Sequence, residues 1–472
     1  MGLNTNFYNF NTLSVDPFLR MDVDYFEITK ELNITRNAPR LKKFITLLET
    51  GHPITKEDYY LDGNTDYIHI VVRNIKDGEL YLSNPIYIND DKGEELNKYK
   101  LLKGDIVIAI SANCGASFIY GNYQDNIQLT LSHYLAKLNV DETKINPTLL
   151  VYYLNSEIMQ KYFRSVETGK TQKNLSKNYI RELPILIPQD VKEQLKIVNK
   201  ISPLDLEIKE LKSQIKPDSE IINEIFTKRF GWDKTVFDEL KNTKLMTRTL
   251  SAFSQNIDNR FSFKFHNKAG EYVLNTLNSQ TSRRIKDYLA EDITLGKSIS
   301  PTDYDENGDQ YYVSMADIKR WCFEKEGAKT ISRSYFYSNQ NKTIALNDII
   351  MARSGEGTIG KVAIIDSDGY DAIYADFTMR IRLINYNQTF AYYYFMTDYF
   401  QYLIYTHKKG LGNNTNIFPS QVRELPIPEI SLTDQANVVN EIKAETYKQR
   451  EFYNKIKERK DKINHIIQNA LA

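Results

Sequence analysis

The chain is written twice. Arg181-Glu182-Leu183-Pro184-Ile185 returns as Arg423-Glu424-Leu425-Pro426-Ile427, 242 positions later. Gly104-Asp105-Ile106-Val107-Ile108-Ala109-Ile110-Ser111 is answered at a spacing of 243 by Asn347-Asp348-Ile349-Ile350-Met351-Ala352-Arg353-Ser354, and Gln194 by Gln435 at 241. Weaker likenesses join residues 20–25 to 260–265 and 66–75 to 309–318. A nearly constant offset over so long a stretch marks a duplication, so whatever fold one half adopts the other must adopt as well.

Within each copy, short strand-like runs (68–72, 106–110, 349–352, 379–383) alternate with Gly and Asn turns and short helices, which predicts an α+β head. Each head ends at an exit where Pro184 and Pro188, or Pro426 and Pro428, exclude helix. A segment of helical periodicity follows. Leu204, Ile208, Leu211 and Ile215 form a seam in the first tail, and Phe452, Ile456, Ile463, Ile466 and Ala470 form one in the second. Pro203 and Pro217 are expected to kink or break the first tail, and two such stripes in one chain can satisfy each other. The expected organisation is a head over 1–188, a helical spacer over 189–230, a second head over 231–428 and a helical spacer over 429–472, with the spacers paired as an antiparallel coiled coil.

Several chemistries are absent in detail. Lys+Arg and Asp+Glu both number 61, which excludes a uniformly basic coat and leaves any polyanion partner to a local patch. Only Cys114 and Cys322 occur, so there is no disulfide framework, and no apolar run approaches the roughly 20 residues of a membrane span. No secretory leader or lipidation signal is apparent at the start, and a cytoplasmic protein is expected. Gly355 to Lys361 fits the spacing of a phosphate-binding loop, but Val362 replaces the Ser/Thr and residues 363–365 read as strand where a helix must open. Residues 303–308 imitate a calcium loop but place Ser314 where a bidentate Glu is needed. Asn84-Pro85-Ile86-Tyr87 approaches a methyltransferase clamp without its second Pro, and the six histidines form no ligand pair. No catalytic or metal-binding set is found.

What the repeat does contain is a basic, amide-bearing loop ahead of each exit. Lys161, Arg164, Lys170, Lys173, Lys177 and Arg181 oppose Glu167 alone, and among them stand Gly169-Lys170-Thr171-Gln172-Lys173-Asn174. Lysines of such a loop suit phosphates, and Thr, Gln and Asn suit phosphates and base edges. The second copy offers Lys408-Lys409-Gly410-Leu411-Gly412-Asn413-Asn414-Thr415-Asn416 at the matching place.

Taken in order, the paired Asp-Ile strands, Arg353-Ser354-Gly355 with Ile359-Gly360-Lys361, Gly169-Lys170-Thr171-Gln172 ahead of Leu183-Pro184, and Glu193-Gln194 and Asp434-Gln435 opening the tails resemble the specificity subunit of type I restriction-modification systems. The resemblance covers nearly the whole chain. It implies two target recognition domains reading the halves of a bipartite, asymmetric DNA sequence, joined by a coiled coil that docks methyltransferase subunits, with a translocating endonuclease subunit as a further partner. It implies no catalysis and no cofactor in this chain, S-adenosylmethionine belonging to the partner methyltransferase. The candidate DNA-binding residues are Lys170, Thr171, Gln172, Lys173, Asn174 and Lys177 in the first copy, and Arg353, Lys361, Lys408, Lys409, Asn413, Asn414 and Asn416 in the second. Ile110-Ser111-Ala112 stands where the second copy has Arg353-Ser354-Gly355, so the roles of Arg353 and Lys361 carry to the second copy only. Two other readings fit the same strings: the recognition part of a fused or type II-like methyltransferase or nuclease, and a coiled-coil scaffold that binds no DNA.

Overall fold

The computed structural model describes residues 23–471 except 36, 61–64, 122–126, 169–172, 250, 252–259, 356 and 411–414. Contacts divide the chain into two compact units, residues 1–214 with 453–472, and residues 215–452.

Unit 1 holds strands β1 (Ile45–Thr50), β2 (Tyr67–Ile70), β3 (Ile86–Tyr87), β4 (Ile106–Ala109), β5 (Ser117–Ile119), β6 (Gln128–Leu131) and β7 (Leu135–Val140), followed by helices α1 (Pro147–Asn155), α2 (Glu157–Val166) and α3 (Val191–Gln214). An antiparallel sheet runs in the order β1-β7-β4-β5, and a second in the order β3-β2-β6, with β2 and β6 parallel. The run Ile106-Val107-Ile108-Ala109 is buried throughout because both faces of its sheet are covered. Ile106 and Ile108 join the cluster that holds Leu150, Tyr153 and Phe163 of the helices, while Val107 and Ala109 face the other sheet's Ile68, Ile70 and Leu131.

Unit 2 repeats this plan. Helix α4 (Asp218–Phe230) precedes β8 (Thr294–Leu295), β9 (Gln310–Val313), β10 (Lys329–Ile331), β11 (Ile349–Ala352), β12 (Val362–Ile364), β13 (Ala372–Tyr374) and β14 (Thr378–Ile381), then α5 (Gln388–Met396), α6 (Asp398–His407) and α7 (Leu432–Gln468). The sheets are ordered β8-β14-β11-β12 and β10-β9-β13, again with the parallel pair, β9 and β13, in the smaller. Each of the four strand-like runs thus contains a strand, although the first ends at Ile70, where Val72–Asn74 turn as a 3-10 helix, and the last ends at Ile381; the duplicated strings occupy equivalent places.

The same small contacts pin both copies. Asn146 and Asn387 cap α1 and α5, accepting from Leu149 N and Phe390 N. The exit motifs are fixed by buried tyrosines: Tyr153 donates its hydroxyl to the Pro184 carbonyl at 2.9 Å and Tyr394 donates to Pro426 at 2.8 Å. The glutamines that open the tails face back into the heads. Gln194 accepts from Asn146 N at 2.6 Å and donates to the Pro188 carbonyl at 2.8 Å. Gln435 accepts from Asn387 N at 2.8 Å and donates to Ile430 at 2.9 Å. Gln435 is 2% exposed, so Gln435→Leu keeps the bulk but orphans a buried amide hydrogen. The expected cost is about 1–3 kcal/mol, read as a lowered urea midpoint of the unit-2 transition.

The first tail breaks once. Pro217 stands at the N-cap of α4, after α3 has ended at Gln214, whereas Pro203 lies inside α3 without interrupting it. Pro203 and Asn199, the residue whose carbonyl loses its helical donor, are both exposed, so water can take the donor's place and the defect is tolerable. In unit 1, Val198 and Ile201 of α3 share a core cluster with Ile467 of α7, and Ile463 and Ile466 pack against that cluster. Farther along, Arg459 pairs with Glu207. In unit 2, α4 packs Ile222, Ile225 and Phe226 among Val438, Val439 and Ile442, and Lys216 N donates to Gln449 Oε1 at 2.9 Å. These are coiled-coil-like contacts of long helices joined to two β-sheet heads. Among the described residues no helix is long and apolar enough to cross a membrane.

Candidate nucleic-acid interface

In each unit two loops distant in sequence meet. The loop leaving β4 and the loop after α2 are bridged through Ser111 and Asn174, and Thr168 bridges Asn174 across the second loop's base. Ala112 N donates to the Lys173 carbonyl at 3.0 Å, the Ser111 hydroxyl reaches that same carbonyl at 3.3 Å, and Leu175 N donates to Ile110 at 2.8 Å. Unit 2 has the equivalent bridges, Ser354 with Asn416 and Lys409 with Asn416. There Ile417 N donates to the Arg353 carbonyl at 2.9 Å and the Ser354 hydroxyl reaches the Thr415 carbonyl at 3.4 Å. Glycines let the turns after β4 and β11 lie close to the helices that lead into the second loops: a Cβ on Gly115 would lie 2.1 Å from the Phe163 ring of α2, and one on Gly360 would lie 2.7 Å from Ile404 of α6.

The sequence candidates fall into distinct groups. Lys170, Thr171, Gln172, Asn413 and Asn414 lie outside the described residues. Lys173, Asn174 and Lys177 are exposed on the first loop and its following helix turn. Lys173 Nζ lies 3.3 Å from Glu167, an ion pair open enough to water that a phosphate can compete for the lysine. In unit 2, Arg353 and Asn416 come together, Nη2 donating to Oδ1 at 3.4 Å, with the guanidinium carbon 5.4 Å from the Phe418 ring centre. Lys409 is half-buried where the loop begins. Lys408 is only 5% exposed, with its ammonium 5.5 Å from the Tyr405 ring centre. Lys361 donates to the Lys319 carbonyl at 2.9 Å and lies 5.6 Å from the Trp321 ring centre, so it braces a neighbouring turn.

The decoys resolve as structure. The Gly355 to Lys361 loop leads into β12 and opens no helix, and Ile86–Tyr87 is a strand. Burial pushes the Cys114 thiol up to about 11, with the Glu167 carboxylate adding to it, so Cys114 is no thiolate near neutrality. Burial likewise holds His69 neutral, its pKa lowered to about 4, while Nδ1 contacts the Thr130 hydroxyl at 3.0 Å. Among the described residues no group of three or more His, Cys, Asp or Glu could hold a metal. Ser111 and Ser354, whose hydroxyls hold the loops together, are not among the candidate residues of the sequence, although both stand at the same place in the duplicated strings.

The family model described as "Type I restriction modification DNA specificity domain" matches the chain twice, over residues 38–217 and 281–458. Among solved structures, the S subunit of a type I restriction-modification system from M. genitalium is 14% identical, with 93% of this chain and 98% of that chain covered and a TM-score of 0.45. A structure described under the assembly and conformational transition of the type I R-M system is 13% identical, covering 92% and 96%, with a TM-score of 0.49. The HsdS subunit from Thermoanaerobacter tengcongensis is 13% identical, covering 92% and 95%, with a TM-score of 0.37. No curated protein matches the chain.

Proposed function

Because the chain belongs to the type I restriction-modification DNA specificity family, as a non-catalytic recognition subunit that reads DNA for its partners, we propose that its two heads read the unlike halves of one bipartite, asymmetric target. The observation that carries this reading is the duplicated loop pair: the scaffold of Ser111 with Asn174 is matched by that of Ser354 with Asn416, while the loop sequences differ. Equal frames bearing unequal loops suit two unlike half-sites better than a palindrome.

In this reading the heads span 1–188 and 231–428 and the helical spacers 189–230 and 429–472. Lys170, Lys173 and Lys177 hold phosphates, and Gln172 and Asn174 meet base edges. Arg353, Lys409, Asn413, Asn414 and Asn416 serve the second half-site. The spacers form an antiparallel coiled coil, supported by chain positions that rise on one helix as they fall on the other: Glu207 with Arg459 in unit 1, and Lys216 with Gln449 and Arg229 with Asp434 in unit 2. They dock methyltransferase subunits, which bring S-adenosylmethionine, and a translocating endonuclease subunit is the further partner. The test is to express the chain with the methyltransferase subunit of its own host and map methylated adenines by sequencing. Two unlike half-sites around an unread gap are expected. A continuous or palindromic motif refutes the reading.

A further inference from the structure

Each unit carries an exposed aromatic ring on a turn that the fold holds rigidly. In unit 1, β6 passes to β7 through Ser132-His133-Tyr134-Leu135, closed by Leu135 N donating to the Ser132 carbonyl at 2.9 Å. In unit 2, β13 passes to β14 through Ala375-Asp376-Phe377-Thr378, closed in the same way at 2.9 Å. From one side, His52 N donates to Leu131 and Lys297 N donates to Tyr374, at 2.8 and 3.0 Å. A glycine lies beneath each turn because nothing larger fits. A Cβ on Gly51 would stand 2.0 Å from the Leu131 carbonyl oxygen, and one on Gly296 would stand 2.1 Å from that of Tyr374.

The third residue of each turn is the aromatic, Tyr134 at 37% and Phe377 at 51% exposure. Its neighbour has diverged from His133 to Asp376, yet the ring has persisted. A half-exposed ring on a fixed turn adds little to a core, so core packing does not account for its presence in both copies. Its place does. Ile110 N donates to the Tyr134 carbonyl at 2.9 Å and Arg353 N donates to the Phe377 carbonyl at 3.0 Å. Ile110 and Arg353 are also the residues whose carbonyls receive Leu175 N and Ile417 N from the basic, amide-bearing loops. The ring-bearing turn and the two loops are therefore laced together through one residue in each head.

We propose that Tyr134 and Phe377 are base-contacting residues, one in each head, whose rings meet a thymine C5-methyl in the major groove beside the hydrogen-bonding loops. Phe377 has no donor or acceptor, so its contribution to choice is apolar, and the thymine methyl is the apolar feature of the major-groove edge. The inference rests on the DNA-reading assignment above.

The test uses the full chain assembled with its methyltransferase subunit, and a duplex carrying the sequence that this complex methylates. A methylated adenine guarantees a thymine opposite it. Phe377→Ala is expected to weaken binding to that duplex roughly tenfold, and Phe377→Leu, which keeps an apolar side chain, to weaken it less. Replacing the thymines of the second half-site by uracil, which removes only the methyl groups, should weaken the wild-type complex similarly and add little to the Phe377→Ala defect. Tyr134→Ala should show the same pattern with the first half-site. Unchanged affinity of Phe377→Ala, or indifference of the wild-type complex to uracil, overturns the proposal while leaving the DNA-reading assignment intact. A wild-type complex that does not prefer its methylated sequence over a scrambled duplex overturns that assignment and the proposal with it.

Discussion

Asp348→Ala is expected to destabilise unit 2 by about 3 kcal/mol, more than the same change at Asp105 costs unit 1. Asp348 is 1% exposed. One carboxylate oxygen accepts from Ala345 N at 2.8 Å, and the two oxygens take Arg382 Nε and Nη2 at 2.7 Å each. Alanine would orphan the turn amide and release a guanidinium whose remaining partner, Glu291, is 3.4 Å away. Removing one member of a buried charge pair costs about 3–5 kcal/mol, but the Arg382 side chain is 35% exposed and water recovers part of that, hence the lower end. Asp105 makes the same turn contact, to Leu102 N at 2.8 Å, but its other close partner is the neutral Asn139 amide at 2.9 Å, with Lys137 at 3.7 Å. At 3.7 Å that pair is weak, and Lys137 keeps the Lys100 carbonyl at 3.3 Å, so a loss of about 2 kcal/mol is expected there. Urea unfolding followed by circular dichroism separates the cases. Equal midpoints for the two variants would show that the bidentate arginine adds nothing.

That aspartate illustrates what the sequence could and could not carry. The repeat made the double architecture legible, because a shared offset is independent of any tertiary contact, and the strands at Ile106 and Ile349 were readable from unbroken apolar runs. The work of the repeated strings was not readable. Asp105 and Asp348 tie turns, and Leu-Pro at each exit receives a tyrosine hydroxyl from a helix some thirty residues earlier. Local periodicity contains no term for such a partner. Accessibility at the candidate loops was hidden for the same reason. Lys408 and Lys409 look alike in sequence, yet Lys408 closes the end of α6 and is buried while Lys409 begins the loop. Proline rules were also too coarse: Pro203 is harmless because its side of α3 faces water, whereas Pro217 coincides with the helix break. Nor can helical periodicity show where α7 divides, residues 432–452 belonging to one unit and its remainder to the other.

The largest effect expected of this protein is the response of its DNA affinity to salt. With 61 basic and 61 acidic residues, the chain as a whole exerts no net attraction on DNA, so on the proposed reading the dependence comes from the cations that the loops bring to phosphates. Taking Lys170, Lys173, Lys177, Arg353 and Lys409 as about five phosphate contacts, log K should fall with log salt at a slope of about −4.5. Between 50 and 200 mM salt that is a loss of about 500-fold, for cognate and random duplexes alike. Lys173→Ala should reduce the slope by about 0.9 and weaken every duplex to a similar degree. It also leaves Glu167 unpaired beside the phosphate, which pushes in the same direction. Asn416→Ala should instead weaken cognate DNA alone, by about 1–3 kcal/mol, with the slope unchanged. Lys408 supplies the internal control: buried against Tyr405, it should leave the slope untouched when changed to Met. Fluorescence anisotropy across four salt concentrations measures all of these. A slope near zero in the wild-type chain would remove the phosphate contacts altogether. A Lys173→Ala defect confined to the cognate duplex would move that lysine from the phosphates to the bases.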